Sequence, residues 1–158
     1  MTTPAIYTAT ALTLVAAGLA AAWDLGTRKI PNWLTFPTIA LGLALNLVGA
    51  GLPGLRNAVL GTAAGTALLL APFAVGGMGA GDVKMLAAVG ALNGAAFAFR
   101  AFLYGAVAGG LIAAVVIGMN RYGRSYTRSF GAAPVEKRTT LPYGIAIFAG
   151  TVAAYFLR

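Results

Sequence analysis

The 158 residues include no cysteine and no histidine, and only three acids: Asp24, Asp82 and Glu136. Without cysteine there is no disulfide, no thiol nucleophile and no thiolate metal site. Without histidine, the usual general base of serine hydrolases and the paired ligands of a helical zinc site are missing too. Charge of either sign is scarce, at 9% of residues where an ordinary soluble domain carries about 25%. What fills the chain is apolar. Hydrophobic residues make up 59% and mean hydropathy is +0.85, values that belong to an integral membrane protein.

The net charge of +8 raises the question of nucleic acid. The eleven basic residues, however, stand singly or in short clusters between apolar runs, which suits a membrane surface better. No nucleic-acid partner is expected. The first apolar run, Ala5 to Trp23, has no basic residue before it, so it reads as a retained span rather than a signal peptide. It ends at Asp24-Leu-Gly-Thr-Arg-Lys-Ile-Pro-Asn32, where Pro31 and Asn32 interrupt the helix.

Further spans are expected from about Trp33 to Ala50, Ala58 to Val75, just after Asp82 to near Ala98, Phe102 to Met119, and Leu141 to Leu157. A loop Gly51–Asn57 separates the second from the third, and Arg100 marks the surface after the fourth. The polar stretch Asn120 to Thr140 lies before the last. Six spans of about 20 residues consume nearly the whole chain. The expected fold is therefore an all-α, six-transmembrane-helix bundle forming one domain over residues 1–158. Glycines four apart, Gly61 with Gly65, Gly90 with Gly94 and Gly105 with Gly109, are read as close-packing positions between helices.

Orientation follows from counting basic residues on each side. One face receives Arg28, Lys29, Lys84, Arg121, Arg124, Arg128, Lys137 and Arg138; the other receives Arg56, Arg100 and Arg158. The positive-inside rule then places the N-terminus outside and all three acids on the cytoplasmic side.

The densest glycine run, Gly76-Gly-Met-Gly-Ala-Gly-Asp-Val-Lys-Met85, delivers Asp82 to the start of an apolar helix. An ordinary description exists for each aspartate. Asp24 has Arg28 four residues on as a partner, and Asp82 suits a helix N-cap. Against this, ionisable groups near membrane depth are rare, and two of three acids fall at cytosolic helix ends. If the two face each other, a chain without histidine or cysteine has a simple route to peptide hydrolysis. Two carboxylates share one proton: the ionised one activates water and the protonated one polarises the carbonyl.

These residues carry a specific resemblance. Gly77-Met-Gly-Ala-Gly-Asp-Val-Lys-Met-Leu-Ala-Ala-Val-Gly90 resembles the Gly-x-Gly-Asp signature of the type IV prepilin peptidases, membrane aspartic proteases. Asp24 followed by Arg28-Lys-Ile-Pro-Asn32 precedes it at a family-like distance, and Leu141-Pro-Tyr-Gly-Ile-Ala146 resembles the start of the family's last helix. Three motifs in the right order cover essentially the whole chain. The resemblance implies that Asp24 and Asp82 are the catalytic pair and that Gly79 and Gly81 shape the turn, with Pro142, Tyr143 and Gly144 near the site. It implies no cofactor or metal, an active site at the cytosolic edge of a prokaryotic inner membrane, and a substrate with a basic leader ahead of a hydrophobic helix, commonly cut after glycine. Lys84 fits three descriptions equally: meeting a substrate acid, meeting the peptide backbone, or snorkelling to lipid phosphates. Tyr143 reads as an interfacial-belt residue and Glu136 as a solvated partner of Lys137 or Arg138.

Longer relatives carry an extra cytosolic segment with paired cysteines, associated with methylating the new N-terminus. This chain resembles the short members serving Flp-type pili, so no methyltransferase activity is expected. The competing readings are a small transporter or channel, which predicts carboxylates near mid-membrane, and a non-catalytic pilus-assembly subunit.

Overall fold

At 1.5 Å per residue, a 25-residue helix is a rod of about 37 Å, more than the hydrocarbon core of a bilayer requires. That helix is α1 (Thr3–Thr27), the first of five in a computed structural model that describes residues 3–128 and 143–157. The others are α2 (Asn32–Ala74), α3 (Ala80–Asn93), α4 (Ala95–Arg128) and α5 (Tyr143–Phe156). Stretches of α1, α2 and α4 are long and apolar enough to cross a membrane.

α2 is a hairpin of two helical arms. Its helical backbone breaks at Gly51, whose φ of 63° and ψ of −149° are closed to residues bearing a Cβ. Pro53 follows in the first turn of the second arm, where its missing N–H has no helical partner to lose. Contacts with α3 show the reversal. Along the first arm Asn32 meets Lys84 and Asn46 meets Ala91 and Leu92, so this arm runs parallel to α3. Along the second, Gly61 meets Gly90 and Gly65 meets Leu86, so that arm runs antiparallel. The loop expected over Gly51–Asn57 is thus reduced to one non-helical residue.

α3 is the central helix. From Asp82 to Leu92 every residue except Lys84 is buried, as expected of a helix apolar on all sides. It ends at Asn93 rather than near Ala98, because Gly94 (φ 86°) turns the chain and the Asn57 amide occupies the space that a side chain there would need. Its last carbonyls find a partner in another helix: Asn46 Nδ2 donates to Ala91 O at 3.0 Å and Leu92 O at 3.3 Å. Ala95 to Ala98 therefore begin α4, and Arg100 lies inside that helix with its guanidinium 5.8 Å from the Phe97 ring. α4 also continues past Met119 to Arg128, into the stretch expected to be loop.

α5 runs antiparallel to both α4 and α1. Gly150 abuts Ala101 and Gly105, and Gly109 abuts Tyr143; Gly18 faces Phe148, and Gly144 faces Asp24. All three glycine pairs singled out in the sequence lie at such contacts. The bundle consequently has two distinct ends. One gathers the end of α1 and the starts of α2, α3 and α5. The other gathers the Gly51 break, the end of α3, the start of α4 and the end of α5.

A Cβ on Gly90 would meet the carbonyl oxygen of Gly61, which cannot rotate away as a side chain does. Gly90→Ala is expected to cost about 1–3 kcal/mol, read as a lower unfolding midpoint in detergent. Gly110, with nothing within 4 Å of such a Cβ, is the control. Gly110→Ala should be neutral or stabilising by up to about 1 kcal/mol, since alanine is the better helix former. Equal midpoints for the two variants would contradict this account of the α2–α3 contact.

Candidate active site

Asp24 occupies the last turn of α1. That helix stops through Arg28, a non-glycine residue at φ 55°, whose N–H donates back to the Asp24 carbonyl at 2.8 Å. The carboxylate itself is buried, at 6% exposure, and its Oδ2 accepts the N–H of Gly144 at 2.8 Å. Gly144 belongs to the first turn of α5, whose leading N–H groups have no carbonyl within their own helix. An aspartate from α1 thus caps α5 and sits at the positive end of its dipole.

Asp82, in α3, is buried to a similar degree, at 7% exposure. It stands in the first helical turn, not at the N-cap. Gly79 is the N-cap, and Asp82 Oδ2 reaches back to accept its N–H at 3.0 Å. Gly81 lets this turn close onto the α1–α2 connection, since a Cβ there would lie 2.9 Å from Ile30 Cβ and 3.1 Å from its backbone N and O. Both carboxylates lie at the same end of the bundle, Asp24 in the last turn of α1 and Asp82 in the first turn of α3. Asp82 Oδ1 is buried with no hydrogen-bond partner among the described residues. An unpartnered buried carboxylate oxygen is costly and rare in folded proteins.

The surrounding residues have definite roles. Lys84 Nζ donates to Asn32 Oδ1 at 2.9 Å and lies 5.1 Å from the centre of the Phe36 ring, so it ties the start of α2 to the start of α3. Trp23 and Trp33 meet edge to face at 5.5 Å across the α1–α2 connection. Tyr143, expected as an interfacial-belt residue, opens α5. It is half-buried against the core cluster, beside Leu69, Leu86 and Ile147, and the charge of Asp82 reaches it. Its packing on Gly109 follows from the α4–α5 contact, which local sequence does not reveal. Pro142 and Glu136 lie outside the described residues. The main-chain N–H that holds Asp24 was also invisible in the sequence, although Gly144 itself lay within a recognised motif.

The class defined by this arrangement is a multi-pass helical membrane protein with two buried carboxylates brought together at one end of its bundle. Residues 11–114 match the model of the type IV leader peptidase family, and the chain belongs to that family. It is 38% identical to the prepilin leader peptidase/N-methyltransferase of Neisseria gonorrhoeae over 117 residues, covering 70% of this chain and 39% of that protein. Its identity to the protein of the same name from Burkholderia pseudomallei (strain 1026b) is 31% over 165 residues, covering 96% of this chain and 49% of the relative. The corresponding Bacillus subtilis (strain 168) protein is 29% identical over 139 residues, covering 87% and 50%. The chain therefore spans half or less of the length of these relatives. No solved structure matches it.

Proposed function

We propose that this protein is an aspartic endopeptidase that removes the leader from type IV prepilins, of the Flp type, where the substrate helix leaves the cytoplasmic face of the membrane. The observation that carries the reading is the pair of buried carboxylates, each held through Oδ2 by a main-chain N–H at a helix start, with Asp82 Oδ1 left unpartnered. Holding one oxygen fixes the carboxylate and leaves the other for chemistry. In the proposed reaction the ionised carboxylate accepts a proton from water as its oxygen attacks the scissile carbonyl carbon. The protonated carboxyl donates to the carbonyl oxygen. Collapse of the tetrahedral intermediate returns that proton, protonates the amide nitrogen and breaks the C–N bond. Like charges that share one site away from bulk water favour a single shared proton, and in this mechanism which aspartate holds it is a property of the pair.

The same reading makes the six helical segments, counting the two arms of α2, six membrane crossings. It turns the aspartate end to the cytoplasm together with Arg28, Lys29 and Lys84. A transporter with mid-membrane carboxylates is less well supported, since both aspartates lie in terminal turns of their helices.

The test is incubation of membranes containing the protein with a prepilin bearing a basic leader, with S-adenosylmethionine supplied and without added metal or nucleotide, followed by mass measurement. The expected product lacks the leader and carries no added methyl group. Uncleaved prepilins from several Flp-type systems would contradict the peptidase reading. Cleaved but methylated pilin would contradict only the expectation of no methyl transfer.

A further inference from the structure

The end of the bundle remote from the aspartates holds a cavity of about 240 Å³. Its walls include Asn57 from the second arm of α2, Asn93 from the end of α3, Ala96, Phe97 and Arg100 from the start of α4, and Tyr155 from α5. None of its described lining residues is acidic.

The polar groups here divide into two sets. Asn93 and Tyr155 are committed to the fold: Asn93 Nδ2 donates to Thr13 Oγ1 at 2.8 Å, and the Tyr155 hydroxyl donates to Asn93 Oδ1 at 2.7 Å. Arg100 is different. It is half-buried, its ring contact is Phe97, and no carboxylate of a described residue lines the space it borders. Asn57 lies beside it, its amide set against the Gly94 turn. The first backbone hydrogen bond of α4 is Ala98 N–H to Gly94 O, so the N–H groups of Ala96 and Phe97 have no carbonyl within that helix. A guanidinium, a carboxamide and the positive end of a helix therefore border one space in which no described residue supplies negative charge.

The neighbouring surface is apolar. On α4 itself, Phe99 beside Arg100 is 49% exposed, and Leu103, three residues on and on the same helix face, is 44% exposed. An anion seated at Arg100 has hydrocarbon-compatible surface beside it, the arrangement required by a headgroup with attached acyl chains. We infer that this cavity binds the phosphodiester headgroup of an anionic phospholipid, on the face of the membrane opposite the aspartates. Arg100 supplies the charge-assisted hydrogen bonds to phosphate oxygens. The lack of a carboxylate among the described wall residues disfavours choline headgroups, whose ammonium group finds no counter-charge from them.

The test is native mass spectrometry of the full chain purified in detergent, titrated separately with phosphatidylglycerol, phosphatidylcholine and inorganic phosphate. Phosphatidylglycerol should bind in preference to phosphatidylcholine. R100Q should weaken that binding by roughly tenfold, as expected for loss of a charge-assisted hydrogen bond. R100K should retain part of it, and R56Q, at an exposed position outside the cavity, should bind as the wild type does. Should R100Q fail to purify as a monodisperse protein, R100K and Asn57→Ala carry the test, each expected to weaken binding by a few-fold. Equal binding of the two lipids, or wild-type phosphatidylglycerol binding by both R100Q and Asn57→Ala, would overturn the proposal. Displacement of phosphatidylglycerol by inorganic phosphate would overturn the lipid assignment in favour of a free-anion site.

Discussion

Asp24→Asn and Asp82→Asn are each expected to lower leader cleavage by roughly 10³- to 10⁴-fold while leaving the protein folded and equally abundant. Acid–base catalysis by a positioned group contributes about 10²- to 10⁴-fold, and in the proposed mechanism each carboxyl depends on its partner to keep the shared proton. The double variant should be little worse than either single one, because groups acting as a unit lose their effect together. Asparagine retains a side-chain oxygen for the anchoring N–H, of Gly144 in one case and Gly79 in the other. The stability cost is then limited to the lost charge at the helix start, about 0.3–1 kcal/mol. Glu136→Gln should cleave normally. Product mass over a time course, normalised to protein in the membrane, measures all four variants. Near-wild-type cleavage by either aspartate variant would remove the two-carboxylate mechanism.

Gly144→Ala is expected to reduce activity by about 100-fold through geometry alone. Its methyl group would stand 2.9 Å from both Cβ and Oδ2 of Asp24, so the carboxylate must move or α5 must shift away. Displacement of a catalytic group by about 1 Å is enough for a loss of that size. Gly150→Ala separates this effect from general damage. It collides with Ala101 O and with the Gly105 backbone, yet neither aspartate is near that contact. Gly150→Ala should therefore melt lower but keep most of its activity per folded molecule, and Gly144→Ala should do the reverse. If Gly144→Ala cleaves at the wild-type rate, the Gly144 N–H does not set the working position of Asp24.

Such tests depend on contacts that differ in how far the chain itself revealed them. Asp24 and Asp82 stood out because acids are so few and both fall at the ends of apolar runs. Gly61, Gly65, Gly90, Gly105 and Gly109 were legible as packing positions because a four-residue spacing places them on one helix face. Helix ends were less legible. α3 stops at Asn93 because Asn57, from another helix, fills the space beside Gly94. α4 begins five residues before Arg100, which had been assigned to the helix boundary as a surface charge. Tyr143, expected as an interfacial aromatic, also packs against the core, because α4 presents Gly109 to it.

The sequence by itself determined the membrane class, the helical content, the family and the two acids, since each rests on composition, run length or a local motif. Only the tertiary structure decided that α3 runs through the centre and that α2 doubles back within one residue. It also decided which N–H holds each carboxylate. Asp82 is anchored three residues away in its own capping turn, whereas Asp24 is anchored 120 residues away by Gly144. The physical reason is that a capping bond within one turn follows from local backbone geometry. A bond between α1 and α5 exists only when close-packed glycines let the helices approach and bring the start of one to the end of the other.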